Sequence, residues 1–542
     1  MTIGPIGPGG SPAFAAGSSA ILSLPSLDLS DDEARVLNWL TMRLFDQRPY
    51  LELRGLYYDG MQKIQDLGIS IPQSLVGLRT VIGWPQIGID SIDERCRVEG
   101  FRYPDSNDTD DDLQGIWQAN NLDGEAQLAQ IDALVYGRSY IMVGTAGPDD
   151  DTQGQPLITA ESPINMSVAW NARMRRPVAA LQLYLDTDFT SDMYGQEVAA
   201  LYLPDHTIHM ARTAATGSAV TGTGKWEITD RDTHNLGRVP VVRMANRQRL
   251  SNRDGLSEIT PAWMNTTDSA CRTLLGMEVG REFFAAPRRY VLGATEDAFK
   301  NSDGSSRTAW ETYLDKMFAL ERDEEGQIPT VGEFKASDPS TFTKLIDTYT
   351  KIMSGLTSLP PHYLGLTSDG NPASADAIRS EEARLVKRVQ RKMLAFGEAW
   401  EDTLRLALLV RDGSLPDGAH RMETDWADPN TPTMAQTSDA ITKQVMAGSI
   451  PATSDVTLKK LGYSAVERNR LEVDRKKDEG AQFLQEIAHA LTGKVARVDK
   501  ALAADVTPQP PGTGQPATIP GAPMKKPVPT PAEVFGRGRS NG

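Results

Sequence analysis

Cysteine is almost missing from this chain: its 542 residues include only Cys96 and Cys271, far apart in sequence. Such a pair builds no disulfide framework, no CxxC redox site and no cysteine-based zinc site, so the chain reads as made in a reducing compartment. Histidine is nearly as scarce, with six residues scattered between His206 and His489. No GxSxG, HExxH or Cys/His constellation accompanies them, which leaves nucleophilic and metal-assisted catalysis without visible machinery. No apolar run approaches the roughly 20 residues needed to cross a bilayer. The opening MTIGPIGPGGSPAF lacks the basic region of a signal peptide, so neither secretion by that route nor a membrane partner is expected. Positive charge is also in deficit. Lys and Arg number 56 against 72 Asp and Glu, for a formal charge of −16. That sign is opposite to what phosphate neutralisation needs, and it excludes a basic nucleic-acid grip over the whole surface.

Three near-motifs fail on spacing. GTGK at Gly222–Lys225 has Ala219 where a P-loop needs glycine and Trp226 where it needs Ser or Thr, so it reads as a hairpin turn. His206 and His209 lie three apart in a predicted strand and point to opposite faces. The acidic run Asp105–Asp112 lacks the turn glycine and closing glutamate of a calcium loop, and reads as a solvated, helix-capping segment. We therefore expect no enzyme activity, no catalytic residue, no cofactor and no metal.

The length suggests two to four compact units. Residues 1–29 and 503–542 are rich in Gly, Pro, Ser, Ala or Thr, compositions that bury too little apolar surface to order a chain, and read as mobile tails. Helices are predicted over 31–61, 112–120 and 124–135, and SYIMVG at 139–144 as a buried strand. From 156 to 242 the apolar period changes to two, with strands at 178–185, 197–203, 207–211 and 226–229. Thr260-Pro261 then opens a helix running to Pro287, and Asp338-Pro339 opens another that stops at Pro360-Pro361. Between them lies a small unit with a strand-like YVLG, a helix TAWETYLDKMFAL and the acidic turn ERDEEG. Gly276 and Gly280 in the first long helix permit close approach of a neighbouring helix. A Pro- and Gly-crowded loop, Leu359–Ala373, leads into the longest helix, about 374–410, and shorter helices broken at Gly448, Pro451 and Gly462 follow. The fold class is α+β, mainly α.

The longest helix is the most informative element. Helical spacing gathers Ile378, Leu385, Val389, Met393, Phe396 and Trp400 in one sector, and sets Arg384, Lys387, Arg388, Arg391 and Lys392 on the other side. That basic face is open to two readings, a salt-bridged seam or a local phosphate contact in an otherwise acidic protein.

LRGLYYDG (Leu53–Gly60), ALVYGRSYIMVG (Ala133–Gly144), LGRVPVV (Leu236–Val242) and above all SGLTSLPPHYLGLTSDGNPASADAIRSEEARLVKRVQRK (Ser354–Lys392), in this order, resemble the portal proteins of tailed bacteriophages, of the siphovirus type found in phages of actinobacteria. The resemblance covers roughly residues 30–500. It implies the portal fold: a wing over 30–255 with a β-rich part at about 156–242, a stem helix at 256–290, a clip at 291–337 and a second stem helix at 338–358. A channel loop follows at 359–373, then a long wing helix and return at 374–430, and a helical crown at 431–502. The channel loop would present Leu359, Pro360, Pro361, His362, Tyr363 and Asn371.

The function implied is a homo-oligomeric ring, typically of twelve subunits, at one capsid vertex. Double-stranded DNA would pass through it in packaging and ejection. The implied partners are the terminase large subunit, a head-completion adaptor, and the major capsid and scaffold proteins. The location would be the virion, after assembly in the host bacterial cytoplasm. The basic face would then be an inter-subunit seam or a limited DNA-contact ring. The alternatives are another head–tail connector or tail ring protein, which lack this order of elements, and a DNA-packaging ATPase or nuclease, for which the motifs are absent.

Overall fold

The computed structural model describes residues 27–63, 80–104, 109–147, 150–152, 154–212, 225–284, 289–293, 305, 330–333, 340–365, 375–430, 434–463 and 465–503. The chain divides into two units, residues 1–431 and 432–542.

Ser30 starts the first unit with a reciprocal cap. Its hydroxyl accepts from the Glu33 backbone at 3.3 Å while the Glu33 carboxylate accepts from the Ser30 N–H at 2.8 Å, satisfying two donors that a helix start otherwise leaves unpaired. The helix it caps, α1 (Asp31–Tyr58), buries Leu37, Leu40 and Leu44 against a five-stranded antiparallel sheet. That sheet runs in the order β4 (Met166–Asn171), β5 (Arg176–Leu185), β6 (Glu197–Tyr202), β7 (His206–Arg212), β8 (Trp226–Thr233). Alternation places Leu181, Leu183, Leu201 and Ile208 toward α1. Leu27 and Leu29, expected in a mobile tail, lean on the same core.

A second layer is built on a three-stranded sheet, β3 (Leu157–Glu161), β2 (Arg138–Gly144), β9 (Val241–Ala245), in that order. Among the helices that contribute to the main core here are α2 (Trp84–Asp93), α3 (Asp111–Ala119), α4 (Leu122–Tyr136) and the long α7 (Ala375–Asp412). Asp110 caps α3 by accepting from the Asp112 and Leu113 backbones at 3.1 Å, so the acidic run ends as a cap; residues 105–108 lie outside the described residues. Trp117 packs edge-on against Trp400 and tilted against Phe101, with ring centres 5.1 and 5.2 Å apart. Periodicity did not find α2, or the pairing of β1 (Val98–Arg102) with β12 (Glu423–Trp426) across more than 300 residues.

The two long helices after Thr260 are α5 (Pro261–Phe284) and α6 (Ser340–Thr357), and they pack on each other. Beyond their ends β10 (Arg289–Leu292) pairs antiparallel with β11 (Thr330–Glu333). The strand expected at YVLG is therefore present, whereas the helix and acidic turn expected after it lie outside the described residues. Gly276 and Gly280 mark no tight contact among the described residues: a Cβ at Gly276 would meet Phe342 at 3.5 Å, and one at Gly280 would meet none of them within 4 Å.

The second unit holds α8 (Met434–Met446), α9 (Asp455–Lys460) and α10 (Ala465–Ala503). The expected series of short helices thus ends in one 39-residue helix. Gly480 costs it about 1 kcal/mol relative to alanine, which is insufficient to break it.

The molecule is mixed α and β with long helices, in line with the α+β class expected. No helix among the described residues is long and apolar enough to cross a membrane.

Candidate channel loop and its buried charge anchor

The loop root forms where α6 ends. Thr357 folds its hydroxyl back on the Met353 carbonyl at 2.8 Å, and Ser358 takes a left-handed conformation (φ +64°) that turns the chain out of the helix. The Ser354 hydroxyl donates to the Leu359 carbonyl at 2.6 Å. Pro360 then directs a 3₁₀ turn over Pro361–Leu364, ended by Gly365 at φ +91°. Proline suits this start because the first donors of a helical turn have no partner to lose.

The predicted loop residues occupy unequal positions. Leu359 is 1% exposed and Pro360 and Leu364 are buried, so the start of the loop belongs to the core. Pro361 is half-buried and His362 is exposed, its Nδ1 3.4 Å from the Glu381 carboxylate. Tyr363 is half-buried; its hydroxyl donates to Glu382 Oε1 at 2.6 Å and accepts from Arg95 at 2.8 Å. Arg95 itself reaches Glu382 at 3.4 Å and lies 5.8 Å from the centre of the Tyr363 ring. This triangle ties α2, the loop root and α7 together. Asn371 lies outside the described residues.

The five cations of α7 do not share a face. Arg384, Lys387 and Arg391 are exposed, with no ion pair among the described residues. Arg388 and Lys392 instead turn inward to Glu258, which precedes α5 and whose side chain is fully buried. Lys392 donates to Glu258 Oε1 and Asn246 Oδ1, and Arg388 to Glu258 Oε2 and the Thr357 carbonyl. Arg247 approaches the same carboxylate at 3.7 Å. At 100° per residue, Lys392 falls only about 20° from Leu385, so helical spacing already put it among the apolar residues rather than opposite them.

Glu258 is held in place by backbone. Its N–H donates to the Leu134 carbonyl at 2.9 Å, and Asn246 donates to Glu258 Oε1 at 3.0 Å while its backbone pairs with Gly137 and Leu256. Gly255, at φ +97°, lets this segment pass so close to Gly137 that a Cβ would lie 2.0 Å from the Gly137 carbonyl oxygen. Burial pushes the Glu258 carboxyl up, but Lys392, Arg388 and Arg247 outweigh it and hold the pKa at about 2. The residue was not singled out from sequence: nothing in SEITP distinguishes it from the other glutamates. What could have pointed to it was Lys392, a cation on an apolar helix sector that requires a buried counter-charge.

Nothing in this cluster resembles an active site. Its groups satisfy one another, and among the described residues no three His, Cys, Asp or Glu side chains are grouped to hold a metal. What the arrangement does is mechanical: it locks the carbonyl end of α6, the loop root and the middle of α7 onto the sheet at Asn246.

Comparison with known proteins identifies the architecture. Residues 37–482 match the family model described as Phage portal protein, SPP1 Gp6-like. The chain is 37% identical over 454 residues to the portal protein of Mycobacterium phage D29, covering 83% of this chain and 90% of the relative. It is 35% identical over 500 residues to the portal protein of Mycobacterium phage L5, covering 91% and 98%. A solved neck of a native GTA particle, computed with C12 symmetry, aligns with 73% of this chain and 95% of its own at 14% identity, with a TM-score of 0.37 that adds nothing to the assignment. Portal proteins are structural and non-enzymatic, as the sequence led us to expect. By a match that spans the sheets, the helical hairpin, the loop root and the long helix, this chain belongs to the phage portal protein family.

Proposed function

We propose that the chain assembles into a homo-oligomeric ring of about twelve copies at one capsid vertex, a passage for double-stranded DNA in packaging and ejection. The observation that carries this reading is the order helical hairpin, anchored loop root, long helix, within a family match over residues 37–482. In this assignment α5 and α6 are the stem and β10 with β11 belong to the clip. Residues 359–373 are the channel loop, the two sheets with α1–α4 and α7 make the wing, and α8–α10 make the crown. Terminase, the head-completion adaptor, and the capsid and scaffold proteins would dock on this ring, assembled in the bacterial cytoplasm and carried into the virion.

Charge supports a passage over a grip. Each retained phosphate contact strengthens binding and slows sliding, and a subunit of net charge −16 keeps such contacts few. The exposed Arg384, Lys387 and Arg391 are the cations of α7 free to meet DNA or a neighbouring subunit, whereas Arg388 and Lys392 are committed to Glu258.

Negative-stain imaging of the purified chain tests the reading. Ring-shaped particles with a central opening are expected; folded single subunits under all assembly conditions would overturn it. Reversal of Arg384, Lys387 and Arg391 together then separates their roles. Loss of rings marks a seam between subunits, while intact rings that no longer support packaging mark a DNA contact.

A further inference from the structure

A concentration of positive charge lies at one end of the five-stranded sheet. A cleft of about 630 Å³ opens there between the β4–β5 turn, β9 and α7, lined by six arginines against three carboxylates. Half of these arginines are spoken for. Arg238 holds Asp402 through two contacts of 2.8 and 3.3 Å, Arg405 reaches Glu401 at 3.4 Å, and Arg243 donates to Asp254 at 3.1 Å. Arg175, Arg176 and Arg253 have no hydrogen-bond or ion-pair partner among the described residues.

The deeper wall is also short of acceptors. The Arg243 side chain is 2% exposed and lies 3.7 Å from the centre of the Trp170 ring, yet its Nε and Nη2 are buried without a partner. Arg238 Nε, Arg405 Nε and the Trp170 indole N–H are in the same condition. Burial holds Arg243 down to about 10 despite Asp254. Buried donors without acceptors are costly, and the accessible charge that could take an anion is that of Arg175, Arg176 and Arg253 at the mouth of the cleft. Met174 and Pro177, beside the free arginines, call for an apolar group as well.

The opposite end of the same sheet carries that combination. β5 starts in the cleft at Arg176 and, ten residues and roughly 33 Å later, delivers the β5–β6 tip. The tip presents Asp186, Asp188 and Asp192 around Phe189, which is 84% exposed, and Tyr194, which is 61% exposed. It is internally braced: Asp186 accepts from Ser191 at 2.6 Å and Asp188 from Thr190 at 2.7 Å. A basic, partly apolar socket at one end of a rigid sheet and an acidic, aromatic plug at the other suit a head-to-tail contact, the kind that closes a ring.

We infer that the arginine cleft receives the acidic β5–β6 tip of a second copy of this chain, making the five-stranded sheet a plug-and-socket link between neighbouring subunits. The inference rests on the ring reading and assigns it a contact. DNA fits the cleft less well, since a phosphate backbone offers nothing to Met174 and Pro177.

The test uses the full chain. Both native cysteines are buried, so Arg175→Cys with Asp188→Cys provides an accessible pair for a short bismaleimide. A ladder of covalent oligomers is expected from the double variant and from neither single one. In parallel, Arg175→Glu with Arg253→Glu, and separately Asp188→Arg with Asp192→Arg, should each lower ring yield about tenfold, the effect of losing one close charge pair. The combination of all four should restore it. Thermal melting of each variant checks that the exposed substitutions leave the subunit folded. Rings that form normally in every variant, without cross-linking, would overturn the inference and leave the ring reading intact. A wild-type chain that never leaves the monomer would overturn both. Unchanged rings with weakened DNA retention would overturn it in favour of a nucleic-acid site.

Discussion

Glu258 and Lys392, 134 residues apart, meet as a buried ion pair that fastens the segment before α5 to the middle of α7. The same carboxylate holds Arg388, whose other nitrogen grips the Thr357 carbonyl. One acid therefore joins the two ends of the hairpin to the helix that follows the loop.

Removing the shared carboxylate should be severe. Glu258→Gln leaves two cations in the interior with no counter-charge and is expected to destabilise the subunit by about 3–5 kcal/mol. Chemical denaturation of the folded subunit measures it. Lys392→Met in the same chain should return part of that loss, because one of the uncompensated cations is gone.

Acid should act through the same group. The Glu258 pKa is depressed to about 2 from 4.5, so its contribution is present above about pH 4.5 and is lost as pH falls toward 2. Denaturation midpoints measured from pH 6 to pH 3 should fall steeply in the wild type and more gently in Glu258→Gln.

Asp93 should show the opposite sign. Burial, with Asp90 and Glu94 nearby, pushes its carboxyl up to about 7, and its Oδ1 is buried without a partner. The folded state favours the protonated acid, so this contribution is full below about pH 4 and is lost as pH rises through 7. Asp93→Asn should therefore stabilise by on the order of 2 kcal/mol at pH 8 and hardly at all at pH 4. Paired melts at the two pH values decide the point.

Glycines should separate by surroundings. A Cβ at Gly88 would sit 2.5 Å from the buried Trp263 ring and 3.1 Å from Leu359, so Gly88→Ala should cost about 1–3 kcal/mol and disturb the loop root. Gly280→Ala, with open space around it, should stabilise α5 by up to about 1 kcal/mol. Thermal melting of the two variants should give shifts of opposite sign.

Tyr363→Phe should loosen the loop root without unfolding the subunit. Loss of the hydroxyl removes the 2.6 Å bond to Glu382 and the 2.8 Å bond from Arg95, at a cost of about 1–2 kcal/mol. Hydrogen exchange should quicken at residues 361–365, and unchanged protection there would place the anchor elsewhere.

Local signals were legible along the chain because they act over a few residues. Thr260-Pro261 and the Pro360-Pro361 stop marked helix ends through capping and a missing N–H, and period-two alternation marked β5 to β8. The motifs from Ser354 to Lys392 carried the family. The strands β1 and β12 were not legible, because their partners are more than 300 residues apart and neither is long enough to show a period.

By itself, then, the sequence determined most of the helices, the β-rich segment and the family, since caps, breakers and periodicity are written in neighbouring residues. Only the tertiary structure decided which charges are spent inside the subunit. Of the five cations between Arg384 and Lys392 it buried Arg388 and Lys392 on Glu258 and left Arg384, Lys387 and Arg391 outside. The physical reason is that the fate of a charge depends on what packs across from it: a cation on an apolar sector must find a buried carboxylate, and that carboxylate came from a distant turn.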